Sequence, residues 1–186
     1  YNTVDFFLLA DIQLMVVIPE PTSIENAYRF IKNSFFRQVF HNSKKFGLKS
    51  VVTPILRIDN PYNITTPKTL IDYFNKLGGS KTVFIEEQLQ IFMPKIILNQ
   101  VRTEKDKLVG LAMKDACSKY FNINMTFLGY ISEDESVWKS VLNRKPLAVA
   151  SPDSVPMQQL KTICSDILLK ETELTSKNNL LSKLAQ

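Results

Sequence analysis

Polar side chains that could hold a ligand follow two of the apolar runs in this sequence. Asn99 and Gln100 end one run, and Ser132, Glu133 and Asp134 come directly after a later one. A side-chain amide carries both a hydrogen-bond donor and an acceptor, so Asn99 could read the edge of a nucleobase while the later loop closes over the same ligand. The alternative is structural. Asn99 would then cap a turn, and the acidic residues would stabilise the start of a helix through its dipole.

The motifs that bind phosphate or carry out catalysis are missing from the sequence. A nucleoside triphosphate needs a glycine-rich loop followed by Lys and Ser or Thr, and none of the five glycines lies in that setting. A Ser–His–Asp set would depend on His41 alone, which has no nucleophile motif beside it. His41, Cys117 and Cys164 are too few and too scattered for a metal site. We therefore expect neither catalysis nor metal binding from these residues.

The composition favours an ordinary globular domain. Of the 186 residues, 45% are hydrophobic and 22% are charged. No apolar stretch approaches the roughly 18 residues that indicate a membrane span. The net charge is +5, but the lysines are scattered and do not alternate with aromatic residues. We therefore expect no direct binding to nucleic acid.

Apolar runs and helix start signals alternate along the chain. The run 14–18 predicts a buried parallel strand. Thr22 and Glu25 have the spacing of a capping box, which predicts a helix that begins there and ends near Gly47. This helix would bury a stripe spaced by three and four residues, namely Ile24, Ala27, Tyr28, Ile31, Phe35 and Val39.

The second half of the chain repeats this rhythm. Further strands are predicted at 95–99 and 125–131. Thr103 would cap a helix after the first of them, and a helix over 136–142 would follow the second. A short last strand is predicted at 147–149, before a C-terminal helix. The helix after Thr103 would bury Leu108, Leu111, Ala112, Ala116 and Tyr120.

Strands that alternate with helices predict an α/β fold with a doubly wound, mostly parallel sheet. Right-handed crossovers place every strand-to-helix loop on the same edge of such a sheet. The three predicted loops, 19–23, 99–103 and 132–135, would therefore meet there. Open parallel sheets bind their ligands at this edge.

A single α/β segment accounts for residues 1–166. Within it, prolines punctuate the stretch at about 48–92, which we interpret as a helical, lid-like insertion. Residues 167–186 form a C-terminal tail that either frays or forms a helix. Its leucines and lysines could meet an anionic membrane, but polar residues break the apolar stripe. We expect only weak membrane association from it.

Three motifs, found in order, resemble those of the MinD/ParA-type P-loop ATPases, and within them the branch of FlhG/FleN-like flagellar-number regulators. Residues 10–28 read ADIQLMVVIPEPTSIENAY, which resembles a segment of that family containing P-E-P-T-S. Residues 96–102, IILNQVR, resemble one of its strands. Residues 128–135 and 137–147 resemble its LGyiPeDe block and the helix that follows. Together the motifs cover most of the chain outside 48–92 and the tail.

The resemblance implies a partial P-loop NTPase-like fold that lacks the N-terminal, phosphate-binding half. It implies that Asn99 contacts the adenine, that the loop 132–134 lines the base and the ribose, and that Asp11 lies towards the dimer-facing side. Two positions depart from the family pattern. Ser132 stands where the family usually has proline, which loosens the loop, and Gln100 replaces the commoner arginine.

The function implied is that of an ATP-dependent, dimerising switch that positions a cellular structure of the flagellum or division-site class. The chain, which does not begin with Met, would be the C-terminal part of that protein. The full-length protein would bind ATP and Mg²⁺, hydrolyse ATP, and form a homodimer when ATP is bound. It would act with a protein partner in the cytoplasm, or peripherally at the inner face of the plasma membrane. The chain alone would bind no cofactor.

Two other interpretations stay open. The chain could be a non-catalytic interaction module that kept the fold without nucleotide binding, which Ser132, Gln100 and the missing phosphate loop favour. It could also belong to an unrelated enzyme of flavodoxin-like layout, although it lacks a catalytic constellation. A lysine-bearing phosphate loop encoded upstream of Tyr1 would decide for the ATPase.

Overall fold

The computed structural model describes residues 2–57 and 59–168. Within them, helices lie against both faces of a three-stranded sheet. The α/β class predicted from the sequence is therefore confirmed. The predicted C-terminal tail lies outside the described residues from residue 169 onwards.

The sheet consists of three strands, β1 (Leu14–Val17), β2 (Lys95–Val101) and β3 (Thr126–Ser132). All pairings are parallel, as predicted, and the order β1-β2-β3 makes β2 the central strand. Two irregularities interrupt the pairing of β2 with β3, one between Ile96 and Ile97 and the other between Leu98 and Val101. The second of these shapes the end of β2, where Asn99 lies.

The helices of the described residues are α1 (Asn2–Leu9), α2 (Pro21–Ser43), α3 (Lys49–Val52), α4 (Pro67–Leu77), α5 (Ser80–Ile91), α6 (Glu104–Ala116), α7 (Glu135–Leu142), α8 (Leu147–Ala150) and α9 (155–168). A 3-10 turn over Thr53–Leu56 continues α3, and a π-helical turn over Cys117–Phe121 continues α6. None of these helices is both long enough and apolar enough to cross a membrane.

Helix α2 begins earlier than the proposed capping box allows. Its N-cap residue is Glu20, and Pro21 takes the first helical position, where its fixed φ angle favours the helix and its missing N–H leaves no hydrogen bond unmade. The capping box of Thr22 and Glu25 is therefore wrong, because Thr22 already lies inside the helix. The predicted stripe is confirmed, with these members buried: Ala27, Ile31, Phe35 and Val39.

The segment 48–92 is a packed helical layer against α2. Thr66 caps α4 and exchanges hydrogen bonds with Thr69 in a capping box, as the Thr-Pro sequence there favours. Three phenylalanines of the segment, Phe74, Phe84 and Phe92, are completely or almost completely buried. They belong to the same hydrophobic core as the sheet.

Helix α6 begins at the predicted residue. The hydroxyl of Thr103 accepts the N–H of Asp106 at 3.2 Å, and the Asp106 carboxylate accepts the N–H of Thr103 at 2.8 Å. This reciprocal capping satisfies two N–H groups that the first helical turn leaves unpaired. The position of the cap is therefore readable from the sequence alone.

The buried face of α6 differs from the predicted stripe. Leu108 and Leu111 are exposed, and Gly110, Met113 and Cys117 face the core instead. The ring of Phe127 lies 2.3 Å from the position that a Cβ atom on Gly110 would occupy. A Cβ atom at this position would collide with the ring unless Phe127 moved, so glycine lets α6 approach β3 closely, with Gly110 rather than Leu111 on the buried side.

The predicted strand at 147–149 is wrong, because these residues belong to helix α8. The carbonyl of Pro146 accepts the N–H groups of Val149 and Ala150, both at 2.9 Å, so the turn closes locally. An apolar run of three residues does not distinguish a strand from a helix. The predicted C-terminal helix is confirmed as α9.

The two faces of the sheet carry cores of different size. The larger core lies between the sheet, α2, α6 and the helices of 48–92. On the opposite face, Ile163 of α9 packs against Ile97 and Leu128. Gly129 has a φ angle of +141°, and Ile163 Cγ1 lies 3.3 Å from the place of its missing Cβ. The glycine therefore permits both the bulge in β3 and the close approach of α9.

Candidate functional site at the carboxyl edge of the sheet

The loops that follow β2 and β3 meet where both strands end. Val101 pairs with Ser132, and the N–H of Glu133 donates to the Val101 carbonyl at 3.0 Å. Parallel strands share this carboxyl edge, so all five residues singled out from the sequence are gathered there. Asp11 precedes β1 and therefore lies at the opposite edge.

A bulge at the end of β2 positions Asn99. Gln100 has a φ angle of +56°, in the left-handed region that a residue with a side chain adopts at a cost of about 1–2 kcal/mol. The Asn99 carbonyl oxygen Oδ1 accepts the N–H of Gln100 at 2.9 Å, which supports this conformation. Asn99 is half-buried, whereas Gln100 is exposed. Asn99 is thus a local cap whose Nδ2 donor has no partner among the described residues.

Ser132 is held by a residue that was not predicted from the sequence. The N–H of Ser132 donates to Gln159 Oε1 at 2.8 Å, and Gln159 Nε2 lies 3.0 Å from Ser132 Oγ as a donor. Gln159 lies on α9, 27 residues further along the chain. These two hydrogen bonds fix the start of the loop that follows β3. No sequence signal marks Gln159, because the contact depends on where α9 crosses the sheet.

Arg102 bridges the two loops, and it too was missed. Its guanidinium forms an ion pair with the Glu133 carboxylate, in which both Nε and Nη2 donate. The hydrogen bonding and charge of Glu133 raise the pKa of Arg102, and Glu20, from the loop after β1, adds to this effect. Both partners are well exposed, so water screens the pair and its contribution to stability is small.

Asp134 serves the start of α7. It is the N-cap residue, and its Oδ1 accepts the N–H of Ser136 at 2.8 Å. Hydrogen bonding with Ser136 holds the pKa of the Asp134 carboxyl below its ordinary value, and Lys139 contributes less. The structural interpretation of this acidic residue therefore has a direct geometric basis.

A polar cleft of about 390 Å³ opens between the two loops. Lys107 is one of the residues that line it, with its ammonium 5.1 Å from the centroid of the Tyr130 ring. Asn99, Gln100 and Asp134 lie at the same edge without lining the cleft. Its walls are formed by Val101, Arg102, Thr103, Glu104, Lys107, Ser132 and Glu133.

The side chains at this edge are suited to binding a polar ligand. Guanidinium, ammonium, hydroxyl and amide groups can donate to a polar ligand, and the carboxylates can accept from it. Within residues 2–57 and 59–168, no three His, Cys, Asp or Glu side chains come together to hold a metal ion. His41 lies on α2, far along the chain from both loops. Its Nε2 is 3.6 Å from Asp5 Oδ1.

Comparison with known proteins adds no assignment, since no protein-family model and no curated protein matches the chain.

Proposed function

We propose that this chain is the C-terminal part of a MinD/ParA-like, ATP-dependent dimerising switch that positions a cellular structure of the flagellum or division-site class. The observation that carries the proposal is the carboxyl edge of the sheet. There the bulged Asn99 stands beside the loop 132–134, in a parallel sheet whose sequence motifs resemble that family in order. The full-length protein would act in the cytoplasm or peripherally at the inner face of the plasma membrane.

The residues present fit the base of a nucleotide. Adenine offers ring nitrogens that accept hydrogen bonds and an amino group that donates one. Asn99 retains a free donor at Nδ2, and its Oδ1 retains a second lone pair beyond the one used by Gln100. The planar guanidinium of Arg102 is suited to stacking on a base. Adenine-side contacts are therefore the part of ATP binding that this chain would supply.

The same residues do not fit the phosphates. The sequence holds no glycine-rich phosphate loop, and the described residues hold no cluster for a divalent ion. In the proposed protein, residues outside these 186 would hold the phosphates and Mg²⁺, and hydrolysis of the bond between the β- and γ-phosphates of ATP would reset the dimer. We therefore expect this chain alone to hydrolyse no ATP.

The test is a titration of the chain with adenosine, followed by amide chemical shifts. We expect weak, saturable shifts confined to the N–H groups of residues 99–103 and 132–136. Asn99→Ala removes the free donor and should weaken the binding roughly tenfold. Asn143→Ala changes an exposed asparagine at the end of α7 and serves as the matched control. Its binding should equal that of the unchanged chain.

Guanosine supplies the decisive comparison, because it presents the opposite donor and acceptor pattern at the six-position of the ring. Equal shifts with adenosine and guanosine, or shifts at other residues, would contradict an adenine site. A complete lack of shifts up to the solubility limit of adenosine would have the same meaning.

The second candidate is a non-catalytic interaction module. Two observations favour it: Asn99 and Ser132 already have protein partners, and helix α7 turns its apolar side chains outward. This candidate predicts no response to either nucleoside.

A further inference from the structure

Helix α7 is oriented with its apolar face away from the protein. Its buried residue is Ser140, whereas Trp138, Val141 and Leu142 are 61%, 71% and 60% exposed. Val141 and Leu142 follow Trp138 by three and four positions, so all three lie towards one side of the helix, and Val137 borders them. An amphipathic helix normally buries this side. Here the apolar side is available to a partner.

The exposed surface continues beyond α7. The turn 143–146 is exposed throughout, and Val149 of α8 is 71% exposed. Lys139, Arg144 and Lys145 accompany the apolar residues, and no Asp or Glu occurs between Ser136 and Pro152. Lys139 forms an ion pair with Glu135 at the start of the helix, with 3.1 Å between Nζ and Oε2. The stretch is thus apolar and cationic, and it contains a tryptophan.

We propose that α7, the turn 143–146 and α8 form a surface that docks on an anionic lipid bilayer. Tryptophan favours the depth of the headgroups, leucine and valine favour the acyl boundary, and cations favour anionic lipid. The charge argues against a second copy of the chain as the occupant. A two-fold contact would place the same three cations against one another. The inference does not rest on the proposed nucleotide site.

Trp138 reports on this docking directly, since it is the only tryptophan in the chain. The experiment adds vesicles of three parts phosphatidylcholine to one part phosphatidylserine to the full chain and records tryptophan emission. We expect a shift of the emission to shorter wavelength, which vesicles of phosphatidylcholine alone do not produce. Raising the salt concentration should weaken the binding, because the cations are exposed and screened.

Variants locate the binding surface. Val141→Ser with Leu142→Ser keeps Trp138 and should weaken vesicle binding roughly tenfold or more. Lys145→Gln should weaken it about fivefold. The matched control is Leu108→Ser with Leu111→Ser on α6, two leucines that are 62% and 50% exposed. It should bind as the unchanged chain does.

A further variant separates this surface from the tail. Leu180→Ser with Leu181→Ser removes two apolar residues beyond residue 168 and should leave the emission shift unchanged. Loss of the shift in this variant, with the α7 variant unaffected, would overturn the proposal. So would constant emission in the presence of anionic vesicles. A shift that depends on protein concentration without vesicles would assign the surface to copies of the chain instead.

Discussion

Strands β1 and β2 are both formed by apolar runs, but their side chains are buried to different extents. In the register of the sheet, Val16 lies beside Ile97 and Val17 lies beside Leu98. Val17 and Leu98 are both buried. Val16, however, is 60% exposed, whereas Ile97 is 5% exposed.

The difference arises on one face of the sheet only. Both strands are covered on the face that packs against α2, where the larger core lies. On the opposite face, α9 reaches β2 and β3 through Ile163, and β1 has no helix over it among the described residues. An apolar run therefore predicts a strand, but the burial of each face depends on whether another element covers it.

A groove of about 610 Å³ lies along the edge of β1, between this strand, α1 and α2. None of its lining residues is charged, and one of them, Phe6 of α1, is well exposed. Natural edge strands usually carry charges or prolines that discourage further pairing. The four residues of β1, Leu14–Val17, contain neither.

The largest effect on stability is expected from a substitution on the face of β2 that packs against the main core. Leu98→Ala removes a completely buried side chain from the main core and should lower the free energy of unfolding by about 2–5 kcal/mol. Urea unfolding followed by circular dichroism measures it. Leu9→Ala, at an exposed leucine, is the control and should change stability by less than about 0.5 kcal/mol. A similar loss in both variants would mean that α1 is covered in solution.

An intermediate effect is expected on the second face of β2. Ile97→Val deletes one methyl group from the small cluster with Leu128 and Ile163, so we expect a loss of about 0.5–1.5 kcal/mol. The same urea unfolding measures it. Unchanged stability would show that α9 does not pack on the sheet in solution, and that the second face is open across β2 as well as β1.

The sequence was sufficient for the elements whose signals are local. The capped start of α6 at Thr103 and the stripe of α2 follow from spacing alone, as does the parallel character of the apolar runs. The wrong predictions had two causes: a competing start signal in the sequence, and contacts between elements that are far apart in sequence. Pro21 displaced the capping box at Thr22, and the approach of α6 to Phe127 selected Gly110 over Leu111 for the core.

In the candidate site, too, one part could be predicted from the sequence and another could not. Its edge could be predicted, because parallel strands bring Asn99 and Ser132 to one side of the sheet. The contacts of these residues could not. Gln159 meets Ser132 only because α9 returns across the sheet, and Arg102 meets Glu133 only because two loops converge. The bulge at Gln100 could not be predicted either, because the residue with the positive φ angle is not a glycine.

The smallest effect is expected at Val16, and it tests the comparison most directly. Val16→Thr keeps the shape and the strand preference of the side chain and exchanges a methyl group for a hydroxyl. At an exposed position the hydroxyl stays hydrated, so the free energy of unfolding should change by less than about 0.5 kcal/mol. A loss as large as that of Ile97→Val would mean that the second face of β1 is buried in solution. Repeating the unfolding at several protein concentrations would then identify the cover: a concentration-dependent midpoint indicates a second copy, because only association responds to mass action.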